Sequence, residues 1–174
     1  MNKQYLSGFT AILIAILITA PGIAGAGPKT ACNVPNVYEN VTAYDAHKIL
    51  EQRGVFLLDV RTQAEYDYSH IAGAKLIPLK NVPVHDPVSL SDNKLLPNRM
   101  KELPKNKNTK IVVYCYTGKR GGIASQMIAD AGYKRVYNIK DDKTDQAGLP
   151  AWVNAGYPVV IDSVKWAANY PHYL

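Results

Sequence analysis

Two rhythms of apolar and polar residues divide this chain. Short runs that are apolar almost throughout, Val55-Phe56-Leu57-Leu58-Asp59-Val60, Lys110-Ile111-Val112-Val113-Tyr114 and Arg135-Val136-Tyr137-Asn138-Ile139, read as strands. The run at 110–114 is predicted to be buried on both faces. Helical spacing appears between them. Thr42 stands as an N-cap with Asp45 as its acidic partner, Ala46, Ile49 and Leu50 give an apolar face, and Gly54 ends the helix. Thr62 caps a short helix through Ala64, Glu65 and Tyr66. Ile71 to Ala74 is a turn, and Lys75-Leu76-Ile77 is a short strand stopped by Pro78. The segment 81–97 is rich in Pro, Asn, Asp and Ser and reads mostly as loop, with a short helix from Asn98 to Leu103. Ile123, Met127, Ile128 and Ala131 recur at helical spacing up to Gly132, placed as a C′ glycine. Lys140 to Gly148 is polar and reads as an exposed loop. A short helix from Leu149 to Gly156 follows, with Pro150 near its first turn, and Pro158 to Ile161 closes the domain. Strands alternating with helices predict an α/β fold on a parallel sheet, whose ligands sit beyond the carboxyl ends of the strands.

The first residues follow a different pattern. Lys3 makes a short positive region, Phe9 to Ala20 is an apolar run, Pro21-Gly22 breaks it, and Ala24-Gly25-Ala26 is a small-x-small cleavage signature. Residues 1–26 are expected to be a secretory signal peptide, 27–40 a leader that is irregular from Gly27 to Asn36, 41–162 the globular domain and 163–174 a tail. The alternative is an uncleaved anchor, for which the run is short. The expected location is periplasmic or secreted, with no stable membrane insertion after cleavage. Lipidation at Cys32 is disfavoured by Lys29, which does not suit an apolar lipoprotein cleavage site.

Composition adds little. A chain of 174 residues with 47% hydrophobic and 20% charged residues is ordinary for one globular domain. The formal charge of +6 becomes +5 once the signal, with one Lys and no acid, is removed. The cations are scattered, without a stripe of interleaved aromatics, so nucleic acid is not expected as a partner.

Candidate chemistry concentrates after the strand at 110–114. Cys115 ends it, a loop containing Gly118 follows, and a helix begins, with Lys119 and Arg120 beside the loop. Backbone N–H groups of such a loop point into its bowl, and the helix N-terminus adds partial positive charge. A thiol there loses its proton readily, because the thiolate is the form these groups stabilise. The competing reading of Cys115 is a small core residue at the end of a buried strand. Cys32 leaves two further possibilities open: a permanent bridge to Cys115, which would remove its chemistry, or a transient one that protects or resolves it.

Four blocks in order resemble the single-domain rhodanese family of sulfurtransferases. They are Leu58-Asp59-Val60-Arg61 with Glu65-Tyr66; Ser69-His70-Ile71-Ala72-Gly73-Ala74 with Ile77-Pro78; Val113 to Arg120; and Val136 to Ile139 followed by Ala151-Trp152 and Ala155 to Val159. The resemblance runs from about Thr42 to Val160. It implies a three-layer α/β fold with a central, mostly parallel sheet flanked by helices. Three departures are visible. Ser69 replaces a usual Gly. Gly121-Gly122 stand where the family has Ser or Ala after the loop arginine, which should loosen the helix start. Lys140 to Gly148 is several residues longer than usual, and the resemblance implies that it lies near the pocket.

By that resemblance Cys115 is the catalytic nucleophile. It takes a sulfane sulfur from a small sulfur-containing anion such as thiosulfate, becomes a persulfide, and passes the sulfur to a thiol or cyanide acceptor. Backbone N–H groups of Tyr116, Thr117, Gly118, Lys119 and Arg120 would hold the terminal sulfur, and the Lys119 and Arg120 side chains would attract the donor. Four residues separate Cys115 from Arg120; the phosphatases and arsenate reductases of similar fold need a longer loop. No metal or organic cofactor is implied. Arg61 lines the pocket or else pairs with Glu65. Asp59 is a buried hydrogen-bond anchor, His70 sits in a structural block, and Trp152 belongs to the core. The alternative function is a non-catalytic sulfur-carrier or anion-binding module that acts with a partner protein.

Overall fold

The computed structural model describes residues 37–79 and 95–162. The predicted signal peptide, Cys32, most of the leader, most of the predicted 81–97 loop and the tail lie outside the described residues. The described residues form seven strands and five helices in the order β1 (Glu39–Val41), α1 (Ala43–Leu50), β2 (Phe56–Asp59), α2 (Gln63–Tyr68), β3 (Ser69–His70), β4 (Lys75–Leu76), α3 (Leu96–Arg99) continued by a 3₁₀ turn (Met100–Glu102), β5 (Lys110–Tyr114), α4 (Lys119–Asp130), β6 (Arg135–Ile139), α5 (Gly148–Asn154) and β7 (Val160–Ile161). Five strands form a sheet in the order β1-β6-β5-β2-β4, every pair parallel. β3 and β7 pair separately and antiparallel. Among the described residues no helix is long and apolar enough to cross a membrane.

The period of two along the central strands builds two cores. Leu58, Ile111, Val113 and Val136 join Ala124, Ile128 and Ala129 of α4 on one face. Leu57, Val112, Tyr114 and Ile139 join Ala43 and Ala46 of α1 and Ala151 and Trp152 of α5 on the other. The result is three layers, and β5 is buried on both sides as its composition predicts. Trp152 lies in the core as expected.

Local signals place the ends of most elements. Thr42 Oγ1 accepts from Asp45 N at 3.1 Å and caps α1. At the end of α4, Gly132 takes φ +94°, Gly132 N donates to Ala129 O and Tyr133 N to Ile128 O. That is the paired termination a C′ glycine permits.

Five expectations need correction. The sequence offers no strand before Val55, yet Glu39–Val41 is an edge strand; its polar residues hide the strand pattern because only Val41 is buried. α1 stops at Leu50, and Gly54, at φ +76°, shapes the turn beyond it. The helix expected at 98–103 begins at Leu96, because Pro97 sits in its first turn, where a missing N–H does no harm. The expected exposed loop at 140–148 buries its last two residues, Ala147 and Gly148. The apolar face expected for α4 holds in part: Ile128 is buried and Met127 packs against the core, but Ile123 is 53% exposed, and Gly121, Ala124, Ser125 and Ala129 complete the inward face. Small residues let this helix lie close against the sheet.

Candidate active site

β5 occupies the middle of the sheet, so the chain leaves its carboxyl end between layers, and the next residue is Cys115. Cys115 is a free thiol with no exposed surface, on the same side of the sheet as Val113 and Ala124. Tyr116 and Thr117, immediately after it, are exposed. Gly118 takes φ +77°, ψ −20° and is the N-cap of α4, with no side chain to accept from the helix. The first intrahelical bond runs from Gly122 N to Gly118 O at 2.8 Å. The amides of Lys119, Arg120 and Gly121 are therefore the ones that intrahelical bonding leaves over. The first turn holds no acid and two cations, Lys119 and Arg120.

Beneath the loop lies a buried polar frame. Asp59 accepts from the Arg61 backbone N at 2.9 Å and from Arg61 Nη2 at 2.6 Å. The same Nη2 donates to Ser69 O, and the guanidinium lies 5.4 Å from the centre of the Tyr114 ring. Burial works to lower the Arg61 pKa, and the adjacent Asp59 carboxylate more than offsets it, so the guanidinium stays charged. Burial pushes the Tyr114 hydroxyl well above its ordinary value, so it stays protonated, and it accepts from Ile71 N. Asp59 is thus the anchor expected. The expected Arg61–Glu65 pair is replaced: Asp59 claims Arg61, and Glu65 pairs with Arg120 instead.

That second pair is bidentate, with Arg120 Nη1 to Glu65 Oε2 at 2.7 Å and Nη2 to Oε1 at 2.6 Å. Glu65 Oε2 also accepts from Thr62 N, and Thr62 Oγ1 accepts from Glu65 N, closing a capping box on α2. Burial acts to raise the Glu65 pKa, but the hydrogen bonds from Arg120 and the Thr62 amide outweigh it and hold the carboxyl below its usual value. Burial acts to lower the Arg120 pKa, and Glu65, with a smaller contribution from Cys115, reverses it.

Two glycines allow the close approaches that position the loop. A Cβ on Gly121 would overlap Asn138 Oδ1, and one on Gly148 would overlap Cys115 O. Asn138, fully buried on β6, donates to Asn40 Oδ1 at 2.9 Å and to Gly118 O at 3.3 Å, while its Oδ1 has no partner among the described residues. Gly121 thus admits the side chain that ties down Gly118. Leu149 N donates to Cys115 O at 2.9 Å, and Ala147 and Lys140 lie where a Cβ on Gly118 would go. The long segment after β6 thus packs directly against the cysteine loop.

A cavity of about 440 Å³ opens beside this loop, lined by Arg61, Glu65, Tyr68, Ser69, Tyr116, Thr117, Arg120 and Leu149. It brings together four of the residues singled out in the sequence: Arg61, Tyr116, Thr117 and Arg120. Gly118 is buried under the loop, Lys119 is exposed on the outer side of the first turn, and neither they nor Cys115 form its wall. Sequence reasoning missed Glu65, Tyr68, Ser69 and Leu149 as wall residues. Glu65 carried a signal, its capping position, which pointed to α2 alone, and Ser69 carried one as the residue in place of a usual Gly. Among the described residues no cluster of three or more His, Cys, Asp or Glu could hold a metal ion.

Residues 42–154 match the model of the rhodanese-like domain. A sulfurtransferase from Allochromatium vinosum is 29% identical over 115 residues, covering 66% of this chain and 87% of that protein. Thiosulfate sulfurtransferase 18 from Arabidopsis thaliana is 31% identical over 135 residues, covering 75% of this chain and 92% of that protein. The solution structure of a rhodanese-like domain from Anabaena sp. superposes with a TM-score of 0.54 at 23% identity, over 72% of this chain and 81% of that one, which shows the shared fold. With the strand-to-helix cysteine loop in the middle of a parallel sheet and a domain match across most of the described residues, this chain belongs to the rhodanese-like family.

Proposed function

We propose that this protein is an exported sulfurtransferase that carries a sulfane sulfur on Cys115. The observation that carries the reading is the placement of this thiol at the carboxyl end of β5, directly before an N-terminus of α4 that holds leftover amides and two cations. The Cys115 thiolate attacks the outer sulfur of a donor such as thiosulfate. A sulfur–sulfur bond forms to Cys115, the donor's own sulfur–sulfur bond breaks, and sulfite leaves with the electron pair. The persulfide's terminal negative charge faces the amides of the loop and first turn, which are fixed before the reaction begins. An acceptor such as cyanide then attacks the terminal sulfur and restores the thiolate. Arg61 has no direct part in this; it keeps Asp59 neutralised beneath the loop. The leader sequence supports export, and a chain recovered from its native cell should begin near Gly27 by intact mass.

A second reading rests on a different observation. Cys115 has no exposed surface, which suits a carrier whose thiol is uncovered only when a partner shifts Tyr116 and Thr117. The deciding experiment compares sulfite release from thiosulfate, with cyanide as acceptor and under reducing conditions, for the mature protein and Cys115→Ser. Turnover lost in the variant supports the enzyme. A Cys115 persulfide seen by mass without turnover supports the carrier. Neither persulfide nor turnover defeats both.

A further inference from the structure

The two ends of a sulfur donor meet different surroundings at this site. The sulfur that is transferred sits by the α4 N-terminus, where one negative charge is favoured. The adjoining cavity, walled by Tyr116, Thr117 and Arg120 of the same loop, is the space we assign to the rest of the donor, and there each arginine already has a carboxylate. Arg61 is held by Asp59 with both side chains buried. Arg120 is held by Glu65 through both terminal nitrogens, with the two side chains 17% and 23% exposed. Glu65 in the wall and Asp59 buried behind it balance the two arginines charge for charge. Lys119 lies outside it. A second negative charge on the donor would have to displace Glu65 from a bidentate pair or sit beside a neutral one.

The remaining wall has a different character. Tyr68 and Tyr116 are each more than half exposed at the rim, and Leu149 supplies an aliphatic surface. The volume, about 440 Å³, lies within the ~300–1,000 Å³ range of sites for organic molecules, and a small inorganic anion fills little of it. Resting on the sulfurtransferase reading above, we infer that the preferred donor is an organic sulfane compound, a thiosulfonate or persulfide bearing an aromatic or apolar group, rather than the inorganic dianion thiosulfate. Glu65 sets this preference by occupying the arginine that a sulfonate would otherwise take. With an aryl thiosulfonate the step balances as before: the Cys115 thiolate bonds the outer sulfur, the donor's sulfur–sulfur bond breaks, and the aryl sulfinate leaves with the electron pair.

The test uses benzenethiosulfonate, methanethiosulfonate and thiosulfate as donors, cyanide as acceptor, and intact mass to follow Cys115. For the wild-type chain kcat/KM should be roughly tenfold higher for the benzene than for the methane compound, the discrimination that apolar pocket contacts supply, with thiosulfate the poorest. The benzene-to-methane ratio should collapse in the Tyr68→Ala/Tyr116→Ala double variant, whose urea midpoint is measured alongside to show that it folds. Glu65→Gln, which keeps a carbonyl oxygen for the Thr62 amide, should raise kcat/KM for thiosulfate selectively. A ratio unchanged in the double variant would reflect donor reactivity alone and overturn the inference. So would a Cys115 that loads from thiosulfate as well as from the thiosulfonates; both results leave the sulfurtransferase reading standing. Failure to load from any of the three would overturn that reading and the inference together.

Discussion

Helices α2 and α4 both begin beside the candidate site, and their first turns are built in opposite ways. α2 is closed by its own side chains: Thr62 and Glu65 satisfy each other's amides in a capping box, and the acid sits where the helix dipole favours it. α4 has a glycine cap in the left-handed region, no side-chain acceptor, and two cations where an acid would be favourable. By the same dipole argument those cations are misplaced for stability. The first arrangement satisfies its own amides, and the second leaves its first amides without a side-chain acceptor. Glu65 joins them, because the carboxylate that caps α2 also neutralises Arg120 at the start of α4. The electrostatics of the open terminus are therefore set partly by the closed one.

The largest effect expected from altering this contrast is at Gly121. Alanine is worth up to about 1 kcal/mol over glycine inside a helix, yet here its Cβ would overlap Asn138 Oδ1. Asn138 has no room to yield, being fully buried and tied to Asn40 and Gly118. Overpacking of this kind costs ~1–3 kcal/mol, so Gly121→Ala should lower stability in urea unfolding, with loss of sulfur transfer as Gly118 shifts. Gly122→Ala is the control: its Cβ would come nearest the Tyr38 hydroxyl, at 2.9 Å, the far end of a side chain, and would lie at an ordinary 3.8 Å from Asn138 Nδ2. Equal stabilities for the two variants would remove Asn138 as the reason for Gly121.

Much of this was legible in the sequence. The α/β alternation, the two-sided burial of β5, the capping of α1 and α2, and the terminating Gly132 all follow from local signals, since each depends on neighbours within a few residues. What escaped depends on contacts distant in sequence. Glu39–Val41 is a strand because β6 accepts it, not because its side chains alternate cleanly. The inner face of α4 carries Gly, Ala and Ser because the sheet lies close, so a search for large apolar residues selected Ile123 instead. The exchange of partners between Arg61 and Glu65 could not be read either. Spacing puts Arg61 near both Asp59 and Glu65, and only the fold brings Arg120, 55 residues beyond Glu65, within reach.

At the closed terminus, Thr62→Ala removes the hydroxyl that accepts from Glu65 N and leaves the bond from the residue 62 amide to Glu65 Oε2 in place. A loss of about 1 kcal/mol is expected from a cap of this type, measured by the urea midpoint at neutral pH. A variant as stable as the parent would mean that the cap contributes nothing beyond the packing of α2.

The smallest effect is in the pH dependence, and it isolates the ion pair between the two termini. The Glu65 carboxyl is held below its ordinary value of 4.5, because the Arg120 and Thr62 hydrogen bonds outweigh its burial. A carboxylate with a depressed folded-state pKa binds fewer protons in the folded state than in the unfolded state over that interval. Its contribution is therefore fully present above pH 4.5 and is lost as the pH falls through the depressed folded value. Other carboxylates titrate in the same window, Glu102 with a value lowered to about 2 by Arg99 among them, so the wild-type curve alone does not assign the loss. The difference curve between wild type and Glu65→Gln does, since the amide cannot ionise. It should be flat from neutral pH to about 4.5 and shrink below it, with an amplitude under about 1 kcal/mol, because the pair is partly open to water. Parallel acid-side curves would mean that the charge on Glu65 does not hold Arg120 in solution. In that case the arginine is available to an anion after all, and the contrast between the two helix termini loses its electrostatic half.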